Sequence, residues 1–108
     1  MVDPVERPAT VRYWHRTYAA EAILAGGFKD TTGTYLTDRE HTGVWLSDTP
    51  VDRHDQDDTL LAVDLPVHLS PMLDAEHEWV EDGKGFREWL VPAAILNEHG
   101  AVTVVDES

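Results

Sequence analysis

The sequence predicts a compact α+β domain in which short strands dominate and one or two helices cover the sheet. Three observations carry this. The stretch TLLAVDLP has a run of apolar side chains at strand length and ends in proline. YAAEAILAGG and SPMLDAEHEWV space their apolar residues like short helices and carry start or stop signals. At 108 residues, 42% apolar and with four Trp, the chain suits a single domain with one packed core.

Taken in order, residues 1–10 read as an extended arm, because two prolines and scattered charge oppose a helix. A single domain is expected over residues 11–105, followed by an acidic tail at 106–108. Val11 and Tyr13 begin a strand. Thr17 is placed to cap a helix over Tyr18 to Ala25, with Ala20, Ile23 and Leu24 on its buried face and Gly26-Gly27 as its stop. The polar stretch DTTGTYLTDREHTG is anchored by Tyr35 and Leu36. GVWLSD reads as a strand, TPVDRHDQDD as a charged connector, and TLLAVDLP as the central strand. Ser70-Pro71 starts a helix whose Leu73, His77 and Val80 share a side. DGKG breaks it. FREWLVP is a strand, AAILN a helical turn or strand continuation, and AVTVV the final strand.

Charge narrows the partners. Twenty-one acidic against eight basic residues give a net charge of -13, with thirteen acids and two bases in residues 55–108. That field disfavours nonspecific attachment to nucleic acid or anionic membrane. The absence of cysteine removes disulfides and thiolate chemistry. No apolar segment has membrane-spanning length. The start, MVDPVERPATVRYW, shows no basic leader followed by an apolar stretch, so a cytoplasmic location is expected.

Two residues stand out chemically. His15 lies between a strand and a helix, where an imidazole serves either packing or ligand recognition. Thr17, two residues on, shares its face in an extended segment and suits either capping or a ligand contact. In FREWLVP, alternation sets Phe86, Glu88 and Leu90 against Arg87, Trp89 and Val91. Glu88 is ordinary surface if the second set is buried, and an acid needing a polar cleft if its own side faces inward.

Three stretches in order, YWHRTY with AEAILAGGF, then GVWLSD, then REWLVP, resemble the NAD-using ADP-ribosyltransferase family, especially its poly(ADP-ribose) polymerase and diphtheria-toxin-like branch. The first is similar to that family's His-Gly-Ser or His-Gly-Thr strand and the helix after it. GVWLSD resembles its Gly-x-Tyr-Phe strand, and REWLVP its Asn-Glu-Tyr strand with the catalytic glutamate. The resemblance spans roughly Tyr13 to Leu96 and implies split antiparallel β-sheets with short covering helices. It further implies that His15 bonds the adenosine-side ribose, that Thr17 supports the motif or meets NAD, and that Trp45 stacks on nicotinamide, with Tyr35 a second aromatic candidate. Glu88 would then bind the nicotinamide-side ribose and stabilise the positive charge developing there. Arg16 replaces the family's glycine and Trp45 its tyrosine. Arg16 either points outward or meets the NAD pyrophosphate. NAD as substrate, with no metal, is the expected chemistry, by transfer to an acceptor or by hydrolysis.

Rival readings are an RNA 2'-phosphotransferase, which the acidic C-terminal half opposes, and a catalytically inactive NAD-binding or protein-interaction module. Glu40, His41, His54, Asp55, Asp57 and Asp58 specify no closed metal geometry, and the aspartate run reads as a solvated connector. GGF and DGKG lack the spacing of a phosphate loop and read as turns.

Overall fold

A computed structural model describes residues 9–33, 41–50, 58–80, 83 and 85–106. The elements are β1 (Thr10–Thr17), α1 (Ala20–Gly26), β2 (Thr31–Gly33), β3 (His41–Ser47), β4 (Thr59–Pro66), α2 (Ser70–Glu76), β5 (Glu78–Trp79), β6 (Glu88–Val91), α3 (Ala93–His99) and β7 (Ala101–Val104), with a 3-10 turn at Val67–Leu69 before α2. The chain is an α+β domain. Six strands run in the order β5-β6-β3-β1-β4-β7, and β2 pairs additionally with the start of β3. Every pairing is antiparallel.

The apolar run of β4 has a simple cause. Leu60, Leu61, Ala62, Val63 and Leu65 are all buried, so β4 is covered on both faces and lacks a regular polar alternation, with Asp64 the one acid within it. It pairs with β1 over its full length, from Thr10 opposite Pro66 to Thr17 opposite Thr59. On its other side Leu61 to Asp64 pair with β7. Cross-strand charge pairing adds to the β1–β4 register, where Arg12 opposite Asp64 makes a two-pronged ion pair of 2.8 and 2.9 Å.

Tyr13, Val44, Leu46, Val63, Leu65, Trp89 and Val91 from the sheet meet Leu73 of α2, Ala93 and Leu96 of α3, and Phe28 in one core. Each fully buried leucine here contributes on the order of 1.5–3 kcal/mol relative to exposure. Pro71 in the first turn of α2 and Pro92 just before α3 set the entry of those helices, where the missing N–H costs nothing. Among the described residues no helix is long and apolar enough to cross a membrane.

Several expectations are adjusted. Thr10 is already in β1, and the Ala9 carbonyl accepts from the Val67 amide at 3.0 Å, so residues 9 and 10 belong to the domain instead of the expected arm, whose residues 1–8 lie outside the described set. The first helix starts at Ala20 instead of Tyr18 and buries no residue; Leu24 is 51% exposed, and Ile23 alone packs partly against the core. The second helix stops at Glu76 because Glu78 and Trp79 pair with β6, which leaves Val80 exposed instead of beside Leu73. AAILN is helical. Asp58, expected in a solvated connector, is buried.

Candidate functional site

The sheet has one weak seam. Where β1 and β4 pair over eight residues each, β1 and β3 share a single registered pair, Trp14 with Ser47. One side chain adds to the seam: the single Ser47 hydroxyl proton is shared between the Thr49 carbonyl just past β3, at 2.7 Å, and the Trp14 carbonyl across the seam, at 3.4 Å. Two cavities open beside it, of about 280 Å³ and about 250 Å³, and His15 and Trp45 border both.

The His15 ring bridges the seam. Its Nδ1 lies 2.6 Å from the Trp45 carbonyl oxygen, which only accepts, so the proton sits on Nδ1. Phe28 packs edge-on against the ring with centroids 5.5 Å apart. Among the described residues, no buried side-chain nitrogen or oxygen lacks a partner. Nε2, which has no partner there, is therefore reachable from solvent. Burial lowers the His15 pKa below its ordinary 6.5, against a smaller opposing effect of the Trp45 bond. The ring is thus neutral at pH 7, and Nε2 presents a lone pair that accepts from a hydroxyl group.

This depression has a thermodynamic consequence. The unfolded chain binds the proton more readily than the folded one, so the stability linked to His15 is complete above pH 6.5 and declines as pH falls from there toward the folded value. Thermal melts from pH 7.5 downward are expected to show a loss of Tm below about 6.5 that is smaller in His15→Gln.

The second cavity is bordered by Trp14, His15, Arg16, Trp45, Leu46, Ser47, Phe86 and Glu88. Register explains the grouping. Glu88 sits opposite Ser47 on β3 and Trp79 on β5, Ser47 sits opposite Trp14, and paired residues project to the same face. His15, one position along from Trp14, projects to the face of Tyr13, and the seam lets both faces border one cleft. Both sequence readings of Glu88 hold in part: Trp89 and Val91 fill the core, yet Glu88 is itself half-buried beside buried Ser47 and Leu90. Trp45 packs edge-on against Trp79 with centroids 5.3 Å apart.

The approach to Glu88 is braced. Arg87 and Asp48 exchange bonds, the Asp48 amide donating to the Arg87 carbonyl at 3.1 Å and the Arg87 amide to Asp48 Oδ1 at 3.0 Å. The Arg87 guanidinium grips Glu78 at 2.9 and 2.7 Å and lies 4.9 Å from the Trp89 ring centre. Those hydrogen bonds hold the Glu78 carboxyl below its ordinary range.

Arg16 borders the same cleft, but its Nη1 lies 3.1 Å from Asp58 Oδ1, and the two side chains are only 7% and 1% exposed. Thr17 borders the other cavity, and its hydroxyl accepts from the Ala19 amide at 2.9 Å, closing the turn before α1 instead of capping the helix itself. His15, Arg16, Trp45 and Glu88 thus meet at one cleft, with Thr17 adjoining. Tyr35 lies outside the described residues.

No family model, curated protein or solved structure matches the chain.

A support for the site that sequence reasoning missed comes from α3. The Asn97 side chain accepts from the Phe28 amide at 2.7 Å and donates to the Phe28 carbonyl at 2.9 Å, as a paired strand would. Asp30 Oδ1 accepts from the Ala93 amide at 2.8 Å. Together they fasten the segment after α1 to α3 and seat Phe28 against His15. Gly27, at φ +89°, lies so close that a Cβ would come within 2.8 Å of Asn97 Oδ1. Asn97→Ala is expected to cost about 1–3 kcal/mol in a denaturant titration, since it removes two bonds and strands the buried Phe28 amide. Adjacent GGF and distant ILNEH carry no local signal of this pairing.

Proposed function

We propose that this domain is an ADP-ribosyltransferase-like fold acting on NAD, as a transferase or a glycohydrolase that cleaves the bond between nicotinamide and ribose. The observation that supports this reading is the convergence of His15, Trp45 and Glu88, from three separated stretches of sequence, on the cleft beside the β1–β3 seam. In this reading the dinucleotide lies along the two adjoining cavities. Nε2 of neutral His15 accepts from a ribose hydroxyl, the Trp45 indole offers the nicotinamide an apolar surface, and the Glu88 carboxylate faces the ribose carbon that becomes positive as nicotinamide leaves. Half-burial strengthens that last interaction relative to water.

The RNA 2'-phosphotransferase reading gains nothing here: among the described residues Arg16 is the sole Lys or Arg bordering the Glu88 cleft, and it is ion-paired with Asp58.

The test is calorimetry with NAD followed by an assay of nicotinamide release. Wild type is expected to bind NAD saturably and to release nicotinamide. His15→Ala is expected to weaken binding by roughly tenfold, the loss of one buried hydrogen bond. Absence of saturable binding by folded wild type refutes the proposal; binding without turnover supports the inactive module instead.

A further inference from the structure

We infer that the outer edge of β7 takes up an extended segment of a partner protein, one in which apolar and basic side chains alternate. This stands apart from the NAD reading and from the clefts at the seam. β7 ends the strand order, and among the described residues only β4 pairs with it. The Val105 amide donates to the Leu60 carbonyl at 2.9 Å, and alternation along an antiparallel pair then turns the main-chain groups of Ala101 and Thr103 toward β4 as well. Those of Val102 and Val104, an N–H and a C=O on each, point away from the sheet. Such a row of main-chain groups is a template for a further strand.

The two edges of the sheet differ. β5, at the opposite edge, is two residues long and begins with Glu78, which Arg87 holds; short length and charge both blunt an edge. β7 carries neither charge nor proline, and its register with β4 is unbroken. Val102, Thr103 and Val104 are β-branched and suit a paired strand. Val102 packs partly against the core, while Val104, two residues on and on the same face, is 54% exposed. An added strand with an apolar side chain beside Val104 covers it. Charge selects the occupant. Residues 88–108 contain four acids and no Lys or Arg, and Glu98 and Asp106, both exposed, flank β7 in the chain. A second copy laid along this edge brings like charges together, each chain at a net -13, whereas a basic segment is attracted.

The experiment titrates the full chain with the capped peptide Lys-Val-Lys-Val-Lys-Val and, separately, with Lys-Lys-Lys-Val-Val-Val, an isomer of equal charge without the alternation. Amide exchange is followed by NMR. The alternating peptide is expected to bind saturably and to slow exchange about tenfold at the Val102 and Val104 amides, with little change at Thr103. Val104→Pro, which removes an N–H that takes no part in the pairing with β4, is expected to keep the fold by circular dichroism and to weaken the peptide about tenfold. Glu98→Lys combined with Asp106→Lys is expected to weaken it by a similar factor without touching the strand. Equal binding of the two isomers, or unchanged exchange at Val102 and Val104, overturns the inference. So does a dimer of the chain alone, seen by sedimentation and dissolved by Val104→Pro, because a second copy then holds the edge.

Discussion

Glu88→Gln is expected to lower the rate of nicotinamide release by about 10²- to 10³-fold, with NAD affinity changed much less. The substitution keeps shape and hydrogen-bonding reach but removes the negative charge. In the ground state the ribose is neutral, so a carboxylate and an amide bind its hydroxyl comparably; the difference emerges only as positive charge grows on the ribose carbon. A loss of that size matches the removal of one preorganised electrostatic partner in other enzymes, about 3–4 kcal/mol of barrier. Strand register places Glu88 opposite Ser47 and Trp79 at a half-buried position. Single-turnover release, with binding measured separately, distinguishes the two effects. Equal losses in affinity and rate would mean that Glu88 contributes to binding and not to the chemical step.

Asp58→Ala is expected to destabilise the fold by about 3–5 kcal/mol, because it removes a buried carboxylate from beside the Arg16 guanidinium at a site where that side chain is 7% exposed. Urea titration at pH 7 measures this directly. The paired replacement Arg16→Met with Asp58→Leu is expected to recover most of the loss, since a buried ion pair exchanged for packed apolar side chains is often neutral. The double variant also isolates the role of Arg16 in the cleft. If the guanidinium meets the NAD pyrophosphate, the folded double variant binds NAD at least tenfold more weakly than wild type. Unchanged affinity would assign Arg16 to the wall alone.

What the sequence made legible was local. TLLAVDLP coincides with β4 because a strand covered on both faces needs no alternation to be recognised. Ser70-Pro71 marks the start of α2 because proline tolerates the first turn of a helix. The elements misjudged depended on distant partners. HEWV continues a helical pattern, yet β6 lies alongside and draws Glu78 and Trp79 into a strand. The aspartates before β4 look like solvated chain, and only the fold brings Arg16, 42 positions earlier, against Asp58. The candidate cleft followed the same division: His15, Trp45 and Glu88, singled out from local stretches, border it together, whereas the bracing by Asn97 joins residues 69 apart.

The uneven pairing of β1 divides the sheet into two blocks, which are expected to open as separate units. On one side β1, β4 and β7 are laced together by long registers; on the other β6 carries β3 and β5. Amide hydrogen exchange would then report two populations of protection, slowest along β4, with the Val44–Leu46 stretch of β3 opening at lower free energy than either block unfolds. A ligand lodged beside the seam touches both blocks at once. Binding would be read at a distance, as slower exchange in strands that the ligand never contacts.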